Sequence, residues 1–180
     1  MIVGSLLVVG FQPICEETVM NSRRFLCKLL GEENSETDID ILFMRRANSI
    51  DFSGILKNDQ ILISYLRNSG YHVVDIEPEK LSVKEQIRLV NKCKIIMGPQ
   101  GSNLALFPIL DASQTLIILY GSRLHRGFEQ YAKAAAINVI SYFIKPVANN
   151  LNFSADEREI VEIGEIVENT LNPRNENSNL

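Results

Sequence analysis

The stretch KIIMGPQGSNLALF, residues 94–107, decides how this chain reads. A strand-forming apolar run, Ile95 to Met97, empties directly into a turn that holds Gly98 and Gly101. Apolar residues from Leu104 onward then allow a helix to begin near Ser102. A strand that is apolar along its whole length, not at alternate positions, belongs inside a parallel sheet covered on both faces. Parallel strands need long crossovers, usually helices. The flanking sequence should therefore alternate strand and helix.

Apolar runs of strand length recur at 2–9, at 39–44 (IDILFM), at 71–76 (YHVVDI), at 115–120 (TLIILY) and at 138–143 (NVISYF). Helical patterns separate them. Residues 16–30 set Val19, Phe25, Leu26, Leu29 and Leu30 on one face, and residues 55–68 do so with Ile55, Leu56, Leu62, Ile63 and Leu66. Asn68-Ser69-Gly70 stops the second of these. Ser82 and Glu85 have the spacing of a capping box, in which each side chain satisfies an orphan amide at a helix start. Val83, Ile87, Val90 and Cys93 or Lys94 mark the buried stripe of that helix. A further helix is expected over 126–136, and an amphipathic one over 155–171 with Ile160, Val161, Ile163, Ile166, Val167 and Leu171 inward. The methionines and cysteines fall on core faces.

This order predicts an α/β fold: a Rossmann-like, doubly wound, mostly parallel sheet over residues 1–148. Residues 149–171 read as a C-terminal helix packing on that domain or bridging from it. Residues 172–180 read as a polar, disordered tail. A length of 180 residues suits one domain of about 150 residues with extensions. Hydrophobic residues at 46% and charged residues at 22% supply a core that needs no staples. The net charge of −4 is uneven: from Leu151 on, seven acids stand against two bases, which leaves the rest at +1. Clustered bases are missing, so no nucleic-acid partner is expected.

Cys15, Cys27 and Cys93 are too few and too scattered for a disulfide framework, and no pair has metal-ligand spacing. His72 and His125 are the two histidines, which excludes a histidine-rich metal site. The apolar start MIVGSLLVVGF lacks the basic residues and cleavage site of a signal peptide. It stops at Gln12-Pro13, short of the about 20 residues a membrane span needs, and reads as a buried strand.

In doubly wound sheets, ligands bind outside the carboxyl ends of the strands. The candidate site is then the set of loops after Met44, Asp75, Met97 and Tyr120. The first holds Arg45 and Arg46; a guanidinium grips a diphosphate by a two-pronged, charge-assisted bond. Neighbours on an extended segment point opposite ways, so one arginine of the two should face the cleft. The second key loop holds Gly98 and Gly101, which let a ligand approach the backbone closely. It also holds the neutral donors Gln100, Ser102 and Asn103. A helix starting at Ser102 would add free amides and a positive dipole end. Without a ligand, the same turn is a plain strand-to-helix connection. The last loop, GSRLHR, holds Gly121, Ser122, Arg123, His125 and Arg126. Asp38-Ile39-Asp40 resembles a metal–diphosphate motif, but Ile39 leads the apolar run, which makes it a strand edge.

Across 42–143 the successive segments LFMRRANS, KNDQILISYLRNSGYHVVDIEPEKLSVKEQIRLVNKCKIIMGPQGSNLALF, TLIILYGS and YAKAAAINVISYF resemble the family sixty-one glycosyltransferases. These include plant xylan arabinosyl- and xylosyltransferases, animal O-linked N-acetylglucosaminyltransferases and bacterial capsular polysaccharide proteins. The joint order carries the likeness: Arg45/Arg46, Asn58-Asp59 opening the next helix, the Ser82 to Ile87 helix start, and the Gly98 to Gly101 loop. The resemblance implies one half of a GT-B architecture, the C-terminal domain that holds the nucleotide-sugar donor. Its partners would be a nucleotide sugar, taken as a UDP-sugar, a glycan or protein acceptor, and an N-terminal domain or subunit. No cofactor and no metal are implied. The donor-contacting residues would be Arg45, Arg46, Asn58, Gln86, Gly98, Gln100, Gly101, Ser102, Asn103, Gly121 and Ser122; the catalytic base is unassigned. Such a chain works in the cytoplasm if bacterial, or in the Golgi or ER lumen as part of a longer eukaryotic protein.

The sequence also departs from the family pattern. The family usually has histidine where Gln100 stands, a second arginine near Gly54-Ile55, and an acid where LIILY is wholly apolar. Three readings stay open: a donor-binding domain of an inverting enzyme, a degenerate relative that binds without catalysis, and an unrelated Rossmann-like nucleotide-binding domain.

Overall fold

The structure, a computed structural model, describes residues 38–46, 54–104, 110, 112–121, 127–145 and 152–173, with four isolated helical positions at 17, 21, 24 and 25. The strand expected at 2–9, most of the helix expected at 16–30 and nearly all of the expected tail lie outside the described residues. Phe25, expected on a buried helix face, is exposed.

Five strands form one parallel sheet: β1 (Ile39–Met44), β2 (Val73–Ile76), β3 (Cys93–Pro99), β4 (Thr115–Tyr120) and β5 (Asn138–Phe143). Their order is β2-β1-β3-β4-β5. Helices α1 (Asp59–Asn68), α2 (Val83–Lys92), α3 (Gly127–Ala134) and α4 (Glu157–Leu171) are interleaved with the strands or follow them. Alternate residues of the central strands enter two separate cores. Ile41, Phe43, Ile95, Met97, Ile117 and Leu119 meet Leu62, Ile63 and Leu66 of α1 and Ile160, Ile163 and Val167 of α4. Leu42, Met44, Ile96, Leu116, Ile118 and Tyr120 meet Ile87 and Val90 of α2 and Ala132 of α3. This two-sided burial explains the continuous apolar runs and gives the doubly wound α/β fold.

The connection from β1 leads outward to β2, while the later strands are added on the other side of β1, beginning with β3. Beyond the carboxyl ends of β1 and β3 the neighbouring connections diverge. Such a topological switch point is where open α/β sheets form a ligand crevice.

Several boundaries differ from those the periodicity predicts. Helix α1 starts at Asp59, because Ile55 and Leu56 are buried in extended backbone. Phe153 N donates to Ile55 O at 3.0 Å and Lys57 N to Phe153 O at 2.8 Å, so this stretch pairs with a segment about a hundred residues away. Val83 is 56% exposed at the first position of α2, and Ile87 and Val90 carry the stripe instead. Val161 is exposed as well. The helix expected from Ser102 is described as a 3₁₀ turn over Ser102–Leu104, and 105–109 lie outside the described residues.

The capping box at Ser82 is present: Ser82 N donates to Glu85 Oε2 at 2.8 Å, and Glu85 N donates to Ser82 Oγ at 3.3 Å. A second box opens α4, where Asp156 N donates to Glu159 Oε2 at 2.8 Å. Glu159 is buried, and its other oxygen accepts from Lys145 N at 2.8 Å, which ties the chain after β5 to α4. Among the described residues no helix is long and apolar enough to cross a membrane.

The two boxes should differ in strength. Ser82→Ala lowers the unfolding free energy by about 1 kcal/mol in urea titration. Glu159→Ala strands the two amides that its buried carboxylate accepts from and costs more, about 2–4 kcal/mol. Equal losses in the two variants would contradict this account.

Candidate functional site

The candidate site is the crevice at the β1/β3 switch point. Past Met44 the chain stays extended for one more residue, since Arg45 N donates to Ile76 O at 2.8 Å. Arg45 and Arg46 therefore project to opposite sides. The arginine on the β2 side is Arg45. Its Nε donates to Asp59 Oδ2 at 2.8 Å, and its Nη1 lies 3.7 Å from Asp75 and 4.0 Å from Glu77. Those acids are shared: Arg67 pairs with Asp75 at 2.6 Å and Lys80 with Glu77 at 2.8 Å. Burial works to lower the pKa of Arg45, but the hydrogen bond and charge of Asp59, with Asp75 and Glu77 behind it, raise it on balance. Three carboxylates thus balance three cations here.

Arg46 turns toward β3. Its Nη1 donates to the carbonyl of Gln100 at 2.9 Å. The guanidinium lies against two glycines. A Cβ on Gly101 would stand 2.7 Å from Nη1 and 2.9 Å from Cζ, and one on Gly54 would stand 3.1 Å from Nη1. Gly54 also has φ +83°, where a side chain would be strained. Burial lowers the pKa of Arg46, yet an arginine remains a cation at neutral pH.

The glycine turn is held by Asn103, whose Nδ2 donates to Met44 O at 2.8 Å and to Pro99 O at 3.1 Å. One amide thereby ties the end of β3 to the end of β1. At Gly98 the two strands come so close that a Cβ would stand 2.5 Å from Met44 O. Gln100 N donates to Leu119 O at 2.9 Å, which anchors the turn to β4. Asn103 is 9% exposed, and its Oδ1 has no hydrogen-bond partner among the described residues.

The structure therefore gathers Arg46, Gly98, Gln100, Gly101 and Asn103. Asn58 and Gln86 make bonds elsewhere. Asn58 Nδ2 donates to Ala155 O at 2.7 Å and its Oδ1 accepts from Ala155 N at 3.0 Å, joining the start of α1 to the approach to α4. Gln86 Nε2 donates to Pro78 O at 2.7 Å and to Leu81 O at 3.1 Å, bracing the loop after β2. Gly121 lies under Phe153, whose Cδ1 a Cβ would meet at 2.4 Å. Ser102 is exposed in the 3₁₀ turn, and Ser122 lies outside the described residues.

Two participants escaped the sequence reading. Gly54 has no motif around it, although a glycine near the arginine loop was a signal to use. Asp59 was noted as a helix opener and not as the partner of Arg45. Among the described residues the positive charge beside the glycine turn is the Arg46 guanidinium, and the three described residues of the 3₁₀ turn are too few to add a helix dipole.

Residues 2–127 match the family described as Glycosyltransferase 61. The chain belongs to that family. The match spans β1 to β4, both arginines and the glycine turn. Among curated proteins none matches. Among solved structures, a diflavin flavoprotein A3 from Nostoc sp. is similar at a TM-score of 0.47 and 13% identity, over 77% of this chain and 97% of that one. Membership in a glycosyltransferase family points to a sugar donor and an acceptor as substrates.

The geometry separates residues that hold the fold from a glycine that shapes the cation's seat. Arg45→Ala and Asn58→Ala should each lower stability by about 1–3 kcal/mol in urea unfolding. Gly101→Ala meets the flexible end of Arg46 and Asn103 Oδ1, so it displaces the guanidinium at a stability cost of about 1 kcal/mol. A loss at Gly101 as large as that at Arg45 would show that the turn is a packing element first.

Proposed function

We propose that this domain binds the nucleotide-sugar donor of an inverting glycosyltransferase, with the donor diphosphate against Arg46 and the glycine turn. The observation that carries the reading is the convergence of Arg46 with Gly54, Gln100, Gly101 and Asn103 at the β1/β3 switch point. A half-buried cation beside backbone without Cβ atoms suits a phosphate that must come close. Arg46, Gln100, Gly101 and Asn103 are the donor-contacting residues in this reading. Arg45 is a positioning residue whose ion pairs hold the β1 loop in register.

The reaction would proceed by attack of an acceptor hydroxyl oxygen, from a glycan or a protein, on the anomeric carbon. The bond from that carbon to the diphosphate oxygen breaks, its electron pair leaves with UDP, and the configuration inverts. The acceptor proton goes to a general base, which we place in a partner domain or subunit completing a GT-B cleft. Arg46 contributes by stabilising negative charge as it grows on the leaving diphosphate. We take residues 1–148 as the donor domain, with α4 packed on it through Ile160, Ile163 and Val167. Synthesis of a polysaccharide or protein-linked glycan is the setting this chemistry fits.

A second reading, a relative that binds without catalysis, is favoured by Gln100, which cannot shuttle a proton near neutral pH as the family's histidine can. The two readings separate on transfer rate in the assembled system.

Calorimetric titration with UDP and UDP-sugars tests the proposal. Wild-type protein should bind UDP, and Arg46→Ala should weaken it about tenfold or more, the loss of one charge-assisted bond. A folded domain that ignores millimolar UDP would end the reading.

A further inference from the structure

We infer that Asn103 is a specificity residue, whose Oδ1 accepts a hydrogen bond from a hydroxyl of the sugar nucleotide beside the diphosphate. This inference rests on the donor-binding reading of the same crevice. Its basis is the orientation of one amide. Asn103 Nδ2 donates to two carbonyls, Met44 O on β1 and Pro99 O on β3. Turning the amide over would set Oδ1 against both carbonyls, so the orientation is determined by its partners. Oδ1 then faces Gly101, 2.9 Å from where a Cβ would stand, while Arg46 Nη1 lies 2.7 Å from the same point. An acceptor and a cation thus flank a single glycine.

Buried side-chain oxygens are nearly always paired, and one left without a partner is costly. Among the described residues Oδ1 is such an oxygen, on a residue nine-tenths buried. What it needs is a donor. The diphosphate of a nucleotide sugar, esterified at both ends and ionised, only accepts, so it can pair with Arg46 but not with Asn103 Oδ1. A ligand carrying a hydroxyl next to its diphosphate satisfies both, and the ribose and sugar rings of a nucleotide sugar have that chemistry. Because Oδ1 is enclosed, a neighbour must move before the ligand reaches it. The flexible neighbour at Gly101 is the Arg46 side chain, which lifts from the glycine as it takes up the diphosphate. The two residues then act in order: the anion draws Arg46 aside, and the hydroxyl is read by the acceptor this uncovers.

The test is a calorimetric panel on the intact chain: UDP, UDP-glucose, inorganic pyrophosphate, and UDP-glucose analogues each lacking one ribose or glucose hydroxyl. One analogue should bind about tenfold or more weaker than its parent, as expected when a buried acceptor loses its donor, and the others within about threefold. In Asn103→Ala that selective penalty should shrink to about twofold. Should this variant fail to fold, the wild-type panel decides alone. If UDP binds and Arg46→Ala weakens it, yet every analogue matches its parent, the inference fails and the donor-binding reading stands. The inference also fails if the same analogue is penalised equally in Asn103→Ala, because another residue then reads that hydroxyl. No binding of UDP or UDP-glucose removes both.

Discussion

The pairing of β1 with β3 is the constraint on which the rest depends. These strands sit at the middle of the sheet, and every residue of β1 from Ile41 to Met44 is buried in one core or the other. At their carboxyl ends the approach is so close that position 98 has no room for a side chain. Asn103 closes the arrangement by reaching from the β3 turn to the last carbonyl of β1. The same contact that ends the sheet also fixes the turn that faces the crevice. Structure and site therefore share their atoms, and a change that loosens the strand ends also moves the seat of Arg46.

Alternation along an extended chain then divides two adjacent arginines between two tasks. Arg45 enters a group of three carboxylates and three cations, where its charge is neutralised locally. Arg46 donates to a backbone carbonyl, a partner without formal charge. This division places Arg46, and not Arg45, at the glycine turn. It follows from backbone geometry more than from anything distinctive in the pair itself.

What the sequence made legible was local and periodic. Continuous apolar runs located three of the five described strands, Ile39–Met44, Thr115–Tyr120 and Asn138–Phe143, with both ends, and the other two to within about two residues. The Ser82–Glu85 spacing located a helix start, because a capping box is a short-range device. The opposed directions of Arg45 and Arg46 followed from period-two geometry alone. Contacts between distant segments were not legible. Asn58 bonds Ala155 across 97 residues, and Gly121 is shaped by Phe153. Ile55 and Leu56 fit a helical face yet lie in extended backbone, because a segment from the far end of the chain pairs with them. Periodicity records which residues are buried, and says nothing of which segment buries them.

The substitution of glutamine for the family's usual histidine at position 100 can be weighed against this geometry. The bond that Arg46 makes there is to the backbone carbonyl, which every residue possesses. The turn is held by the backbone amide of the same residue, on Leu119, and by the side chain of Asn103. The bond to Arg46 is thus made by backbone that any residue at position 100 supplies. What glutamine removes is an imidazole that could exchange a proton near neutral pH. Binding and proton transfer are therefore separable at this turn. Under the donor-binding proposal, these loops would recognise the nucleotide sugar without having to supply the base that deprotonates the acceptor.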